Sequence, residues 1–271
     1  MSSARQSLVS GSVLLTGATG GLGQAIARAF AARGARLVLT GRRVDELEEL
    51  AASVGGRSIA CDLAVPEQLE QLVADAGEID VLIANAGLPA SGQLSSFSVA
   101  QLDTIIEVNL RAPIALAHAL APGMVQRRRG HLVFVSSLSG RAATPRSSMY
   151  HATKFGLRGF GLGLRQDLQR DGVGVSVVSP GFVRDAGMFH DAGVKLPPGV
   201  GTSTPEQVAA GVIRAVEQNR AEVTVAPLSM RLGADFASVA PAAAASMQRV
   251  LGGDRTARDL AAAQVSKRPL E

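Results

Sequence analysis

Val13-Leu14-Leu15-Thr16-Gly17-Ala18-Thr19-Gly20-Gly21-Leu22-Gly23 is the stretch that decides how this chain is read. Three apolar residues of strand type run straight into a glycine-rich turn, and residues 21–33 then follow a helical pattern. Glycine is needed where a turn is tight and where a ligand must approach the backbone closely. A helix that starts at such a turn points its first free N–H groups, and the positive end of its dipole, at whatever sits there. A glycine-rich loop alone means little. Between a strand and a helix near the start of an α/β chain, it reads as a cradle for the pyrophosphate of a dinucleotide. The competing reading is a plain tight turn.

The rest of the chain repeats the same alternation. Val13-Leu14-Leu15, Arg36-Leu37-Val38-Leu39-Thr40, Val81-Leu82-Ile83, Leu132-Val133-Phe134-Val135, Val175-Ser176-Val177-Val178 and Val223-Thr224-Val225 are apolar runs without a two-residue period. Arg57-Ser58-Ile59-Ala60 reads as a further, weaker strand. Continuous apolar strands belong to parallel sheets covered on both faces. Helical segments of suitable length separate them, for instance 44–53 and 205–219. The expected fold is therefore α/β, a single-domain doubly wound parallel sheet with helices on both faces and a short helical C-terminal tail. The core should span about 12–227, within one domain of 1–271 with no dividing linker. Residues 183–204, rich in Gly and Pro, read as a mobile substrate loop. Residues 228–271 form the tail, with 255–267 amphipathic.

Composition excludes several classes. Hydrophobic residues make up 46% of the 271, enough to close one sizeable core, and 18% are charged, too few for disorder. The net charge of +4 is scattered and aromatics are only 3%, so nucleic-acid binding is not expected. The run Arg127-Arg128-Arg129 reads as the solvated end of a helix. The single cysteine, Cys61, rules out an internal disulfide and reads as a small buried hydrophobe. No signal peptide and no membrane span are seen, so a cytoplasmic protein is expected. His118, His131, His151 and His190 show no metal-ligand spacing with one another or with Cys61, and no metal is expected.

The chemistry-bearing residues come at strand ends and in one helix. Gly17, Gly21 and Gly23 have the spacing TGxxxGxG; Asp62-Leu63 follows the third strand and Asn85-Ala86-Gly87 the fourth; Asn109 lies in the next helix. Ser137 follows the fifth strand, Tyr150 and Lys154 form YxxxK, and Pro180-Gly181 follows the sixth strand. In order and spacing this set resembles the short-chain dehydrogenase/reductase family over about residues 12–227. Two departures stand out. Gly20 also satisfies TGxxGxxG, the spacing of the family's longer, epimerase-like members, and Ala84 replaces the Asn that often opens the NAG motif. What the resemblance implies is a Rossmann-type enzyme that interconverts a carbonyl and an alcohol by hydride transfer. Tyr150 would be the general acid/base and Lys154 would lower its pKa while holding the nicotinamide ribose. Ser137 would bond the substrate oxygen, and Asn109 would anchor a water relaying protons to Lys154. Gly17, Thr19, Gly21, Leu22, Gly23, Asp62, Leu63, Asn85, Ala86, Gly87, Pro180, Gly181 and Val183, with Tyr150 and Lys154, would bind the cofactor.

Residue chemistry supports these roles. Tyr150 and Lys154 stand at i and i+4 and share a helical face. A phenol near pKa 10 is a poor base, and a neighbouring ammonium is expected to pull it lower against the opposing effect of burial. At the end of the second strand, NAD-preferring relatives place an acid for the ribose 2′-hydroxyl. Here the run is Thr40-Gly41-Arg42-Arg43, so Arg42 is placed to grip a 2′-phosphate, and Arg43 reads as an exposed helix start. NADP(H) is thus expected over NAD(H), although Gly20 stands where many NADPH-using relatives carry a second basic residue. Beyond the PG motif, Asp185 replaces the usual Thr. Gly156, Gly159 and Gly163 share one face of the Tyr150 helix, which suggests a homodimer or homotetramer contact or, alternatively, close packing on the chain's own sheet. The apolar loop with Phe182, Val183, Met188, Phe189, Val194 and Leu196 leans toward a lipophilic small-molecule substrate. Alternatives left open are an NAD-dependent alcohol dehydrogenase, a lyase or epimerase, and a non-catalytic NAD(P)-sensing regulator on the same fold.

Overall fold

The computed structural model describes residues 7–194, 196, 200–250 and 253–265. In chain order it forms β1 (Ser12–Thr16), α1 (Gly21–Ala31), β2 (Arg36–Gly41), α2 (Val44–Val54), β3 (Arg57–Ala60), α3 (Pro66–Ala76) and β4 (Val81–Ala84). Next come α4 (Val99–Ile106), a π-helical turn (Glu107–Arg111), α5 (Ala112–Gln126), β5 (Gly130–Val135), α6 (Ser148–Leu168) and β6 (Val173–Pro180). The chain continues through α7 (Gly187–His190), α8 (Pro205–Glu217), β7 (Glu222–Val225) and three tail helices, α9 (Leu228–Val239), α10 (Pro241–Val250) and α11 (Gly253–Ala263).

The strands form one parallel sheet in the order β3-β2-β1-β4-β5-β6-β7, the doubly wound Rossmann arrangement expected from the apolar runs. Strand residues alternate between two cores. Val13, Leu15, Leu39 and Val178 face α1, α2 and α8, meeting Phe30, Leu47 and Val212. Leu14, Val38, Leu82 and Phe134 face α3, α5 and α6, meeting Leu72, Leu116 and Leu157. Burial on both faces is why these strands lack polar alternation. Strand order reverses between β1 and β4, which opens a crevice at their C-terminal ends.

Several surface readings need correction. The arginine run follows the end of α5 and is only partly solvated: Arg128 is exposed, while Arg127 and Arg129 are half-buried. Arg127 donates to the Ile79 carbonyl at 3.0 Å, Arg128 to that of Arg170 at 3.0 Å, and Arg129 bonds Asp80 at 3.1 Å. Residues 183–204 include α7 and a bridge from Val183 to Ser203, while 195 and 197–199 lie outside the described residues. Part of the amphipathic stretch, Ser266 and Lys267, also lies outside them. Cys61 is buried, and burial, then Asp62, pushes its thiol up to about 11, which keeps it inert at neutral pH.

Candidate active site

The crevice begins with the glycine loop. Gly17 sits at φ +64°, a backbone state that L side chains rarely adopt, and a Cβ there would lie 2.8 Å from the Ala86 Cα. The two strand ends are tied at this point. Thr16 Oγ1 accepts from the Asn85 and Ala86 N–H groups, each at 3.0 Å, and Asn85 Nδ2 donates to the Thr16 and Gly17 carbonyls at 3.1 and 3.2 Å. The Asn85 side chain thus clamps β4 to the loop. A Cβ on Gly23 would collide with the Gly17 carbonyl oxygen, and one on Gly21 with the Ala186 Cβ. The helix that follows starts at Gly20 with no side-chain cap and no acidic residue in its first turn. No N-cap side chain therefore answers its first N–H groups.

At the β2 end the two arginines lie differently. Arg42 is 62% exposed along its side chain and lies 3.9 Å from Asp62, a loose pair at the rim. Arg43 does not simply point outward from a helix start. Its Nη2 donates to the Thr19 carbonyl at 2.8 Å, while Nη1 bonds Glu46. A guanidinium therefore lies against the glycine loop, near where a basic residue was missing at Gly20. The Thr19 partner lies 24 residues away in sequence, so no local spacing signals this contact. Leu63 is buried in the α3/α5 core rather than exposed beside Asp62.

Deeper in, the Ser137 hydroxyl hydrogen-bonds Tyr150 and also accepts from the Ser139 N–H at 3.1 Å. Lys154 is buried; its Nζ donates to the Val135 carbonyl at 3.0 Å and lies 5.7 Å from the Tyr150 ring centroid. The i/i+4 spacing in α6 and the end of β5 thus bring Ser137, Tyr150 and Lys154 together. The expected pull of the ammonium on the phenol is reversed. Burial pushes Tyr150 up to about 12, the Ser137 hydrogen bond offsetting only part of it, and burial pulls Lys154 down to about 8.

Asn109 is fully buried on the π-helical turn, where the extra residue re-aims the side chain. Its side-chain amide is engaged with the backbone of Leu88. Oδ1 accepts from the Leu88 N–H at 2.6 Å and Nδ2 donates to the Leu88 carbonyl at 3.0 Å, which pins the loop after β4. A Cβ on Gly87 would find Asn109 Oδ1 and Met188 Cε at 3.5 Å and Lys154 Nζ at 3.6 Å. That hollow, the glycine loop and the uncapped helix make a cradle that fits a dinucleotide's backbone-hugging phosphates and ribose.

Over the crevice, Phe182 and Phe189 pack with centroids 4.7 Å apart, and Val183 bridges to Ser203. Asp185 stands at φ +68°, 66% exposed along its side chain, and pairs with Arg184 at 3.3 Å, so its carboxylate faces solvent rather than the cleft. Beside Tyr150, Ala90, Phe97 and Ile105 form an apolar cluster against which Leu102 and Met149 pack. His151 is a structural residue: Thr144 N–H donates to its Nε2 at 2.8 Å, so Nδ1 carries the proton toward the Ser139 carbonyl, also at 2.8 Å. Among the described residues no cluster of three His, Cys, Asp or Glu could hold a metal, and no helix is long and apolar enough to cross a membrane.

A family model described as short chain dehydrogenase matches residues 12–195. The chain is 40% identical to the ketoacyl reductase HetN of Nostoc sp. over 222 residues, 79% of this chain and 77% of that protein. It is 33% identical to dehydrogenase/reductase SDR family member 7B of Xenopus laevis over 251 residues, 84% of this chain and 78% of that one. Among solved structures, a putative betaketoacyl-ACP reductase superposes with a TM-score of 0.73 at 30% identity, covering 79% of this chain and 95% of that one. A short-chain dehydrogenase from Sphingobium yanoikuyae, in complex with NADPH, gives 0.73 at 28% identity, covering 79% and 87%. The chain belongs to the short-chain dehydrogenase/reductase family of NAD(P)-dependent oxidoreductases.

Proposed function

We propose that the protein is an NADPH-preferring reductase of carbonyl compounds, reversible toward the alcohol, with Tyr150 as general acid/base. The observation that carries this reading is the convergence of Ser137, Tyr150 and Lys154 beside the Gly87 hollow. When bound, NADPH supplies the hydride. The chain's own residues supply the rest. A phenol held near 12 keeps its proton at Oη through neutral pH, so Tyr150 is set up to donate to a carbonyl oxygen. Ser137 steadies that oxygen, and Lys154, fixed on Val135, favours the phenolate left behind while it carries its own proton. Asn109 acts through Leu88, holding the loop that borders Lys154. The NADPH preference rests on Arg42 at the rim and Arg43 across the loop, with no acid at the end of β2.

The apolar cluster at Ala90 and Phe97 and the Phe182/Phe189 pair support a lipophilic substituent on the carbonyl. A homodimer or homotetramer built on α6 completes the proposal. Gly161 packs on the chain's own Val177 and Phe134, and Gly156 meets Leu110, but Gly159 and Gly163 have nothing within 4 Å, and Phe155 is 42% exposed.

Replacing the phenol tests the assignment. Tyr150→Phe should lower kcat for ketone reduction by at least about a hundredfold while still binding NADPH. Reduction by the wild type should weaken above about pH 8, as Lys154 loses its proton and with it the charge that favours phenolate. Turnover by Tyr150→Phe near the wild-type rate would end this reading.

A further inference from the structure

The tail helices touch both flanks of the candidate site. Strands β4 and β6 lie on either side of β5, whose end carries Ser137. On the β6 side, Asp235 of α9 lies 2.6 Å from Arg141, four residues after Ser137, and Arg141 also donates to Thr224 Oγ1 at 3.1 Å. Met230 of the same helix packs on Gly181, where a Cβ would lie 3.3 Å from its Cε. On the β4 side, Gln264, just beyond α11 and 4% exposed, accepts through Oε1 from the Ser91 N–H at 3.3 Å. Ser147 donates its hydroxyl to Ser91 Oγ at 3.5 Å, three residues before Tyr150, and Gly92 N–H donates to the Arg146 carbonyl at 2.7 Å. Ser91, Ser147 and Gln264 are all buried, so this polar contact is sealed from water. Ala90, the neighbour of Ser91, belongs to the apolar cluster against which Met149 and Tyr150 pack.

We propose that the C-terminal helices are a wall of the substrate site and that Gln264 is a specificity-determining positioning residue. By holding Ser91, Gln264 fixes the Ala90 side of the cleft against Met149 and Tyr150. The tail thereby limits the bulk of the apolar group accepted beside the carbonyl. The inference rests on the reductase reading for its substrate class but not for its geometry. Gln264 is buried and bonds a loop 173 residues away in sequence, and α9 restrains the opposite side of the same cleft.

Two measurements test it on the full chain. Gln264→Met keeps the length of the side chain and removes the acceptor, whereas Gln264→Glu keeps an acceptor oxygen. In Gln264→Met the ratio of kcat/KM for acetophenone to that for butanone should rise at least about fivefold, with NADPH affinity unchanged and the Glu variant nearer the wild type. An unchanged ratio, or one that moves only together with NADPH affinity, overturns the specificity role. Amide hydrogen exchange should quicken at residues 88–92 and 147–151 but not at 17–23, and no change at 88–92 overturns the tail contact whatever the substrate. A wild type that reduces neither ketone and no wider carbonyl set counts against the reductase reading, and the exchange result still decides the contact.

Discussion

Helices α1 and α8 lie in the same layer and pack on the same face of the sheet, yet they begin in opposite ways. α8 opens with Thr204 as N-cap. Its side chain accepts from the Gln207 N–H at 3.2 Å while Gln207 returns a bond to the Thr204 N–H at 2.9 Å, and Pro205 fills the first turn. Glu206 adds a carboxylate to that turn, held below its usual range by its own backbone N–H and the Thr204 hydroxyl. α1 has none of this: a glycine N-cap, no side-chain cap, no acid. A helix whose N–H groups are answered by the protein is a structural part. One whose N–H groups are left for something else, at the switch point of a doubly wound sheet, is a binding part. The two helix starts in one layer separate fold from function.

The largest effect should come from filling the α1 start. In Gly23→Ala the new methyl would meet the Gly17 carbonyl and lie 2.8 Å from the Ala18 Cα and carbonyl oxygen, all backbone atoms with no flexible end to yield. We expect roughly 3 kcal/mol or more of lost stability, or a displaced loop and no measurable NADPH binding. Gly20→Ala sharpens the point, since its nearest neighbour would be the Gly17 carbonyl at an ordinary 3.5 Å. That variant should fold normally, so any loss of NADPH affinity in it would report the ligand's approach alone. Normal stability and normal NADPH binding by Gly23→Ala would break the comparison.

A smaller effect is expected at the β2 end. Arg42→Ala should weaken NADPH by about 1.5–3 kcal/mol, the scale of a charged hydrogen bond, and leave NADH nearly unchanged. Parallel dissociation constants for the two cofactors check this. Equal losses for both would mean that Arg42, loosely paired with Asp62, does not read the 2′-phosphate.

What could be read in advance follows the distance over which each interaction acts. The strands were visible because burial on both faces leaves continuous runs such as Leu132-Val133-Phe134-Val135, and α6 placed Tyr150 and Lys154 together because i and i+4 share a face. The clearest misses depend on partners far along the chain. Arg127, Arg128 and Arg129 looked solvated because Ile79, Arg170 and Asp80 are remote in sequence. Gln264 carried no signal, since its partner Ser91 lies 173 residues away. The Tyr150 phenol was misjudged because its charge partner is local and legible, whereas the burial that outweighs it is assembled by the whole fold.

The smallest effect sharpens the comparison from the α8 side. Thr204→Ala removes the N-cap acceptor and leaves the Gln207 N–H to water, which costs about 1 kcal/mol at an exposed cap. Because α8 packs on α1 through the shared core, that loss should appear in a denaturation midpoint while the unfolding slope stays the same. As the loss of a structural cap, it should not appear in NADPH affinity. A Thr204→Asp variant should recover the stability, since a carboxylate caps as well as a hydroxyl does and suits the positive helix end. The same carboxylate placed at α1 as Gly20→Asp should also supply a cap and raise stability, but there it should repel the cofactor phosphates and weaken NADPH binding. A loss of NADPH affinity from a carboxylate at one helix start and none at the other would be hard to obtain if both starts were structural. Equal, small effects of Gly20→Asp and Thr204→Asp on NADPH affinity would show that the uncapped start of α1 is an ordinary turn.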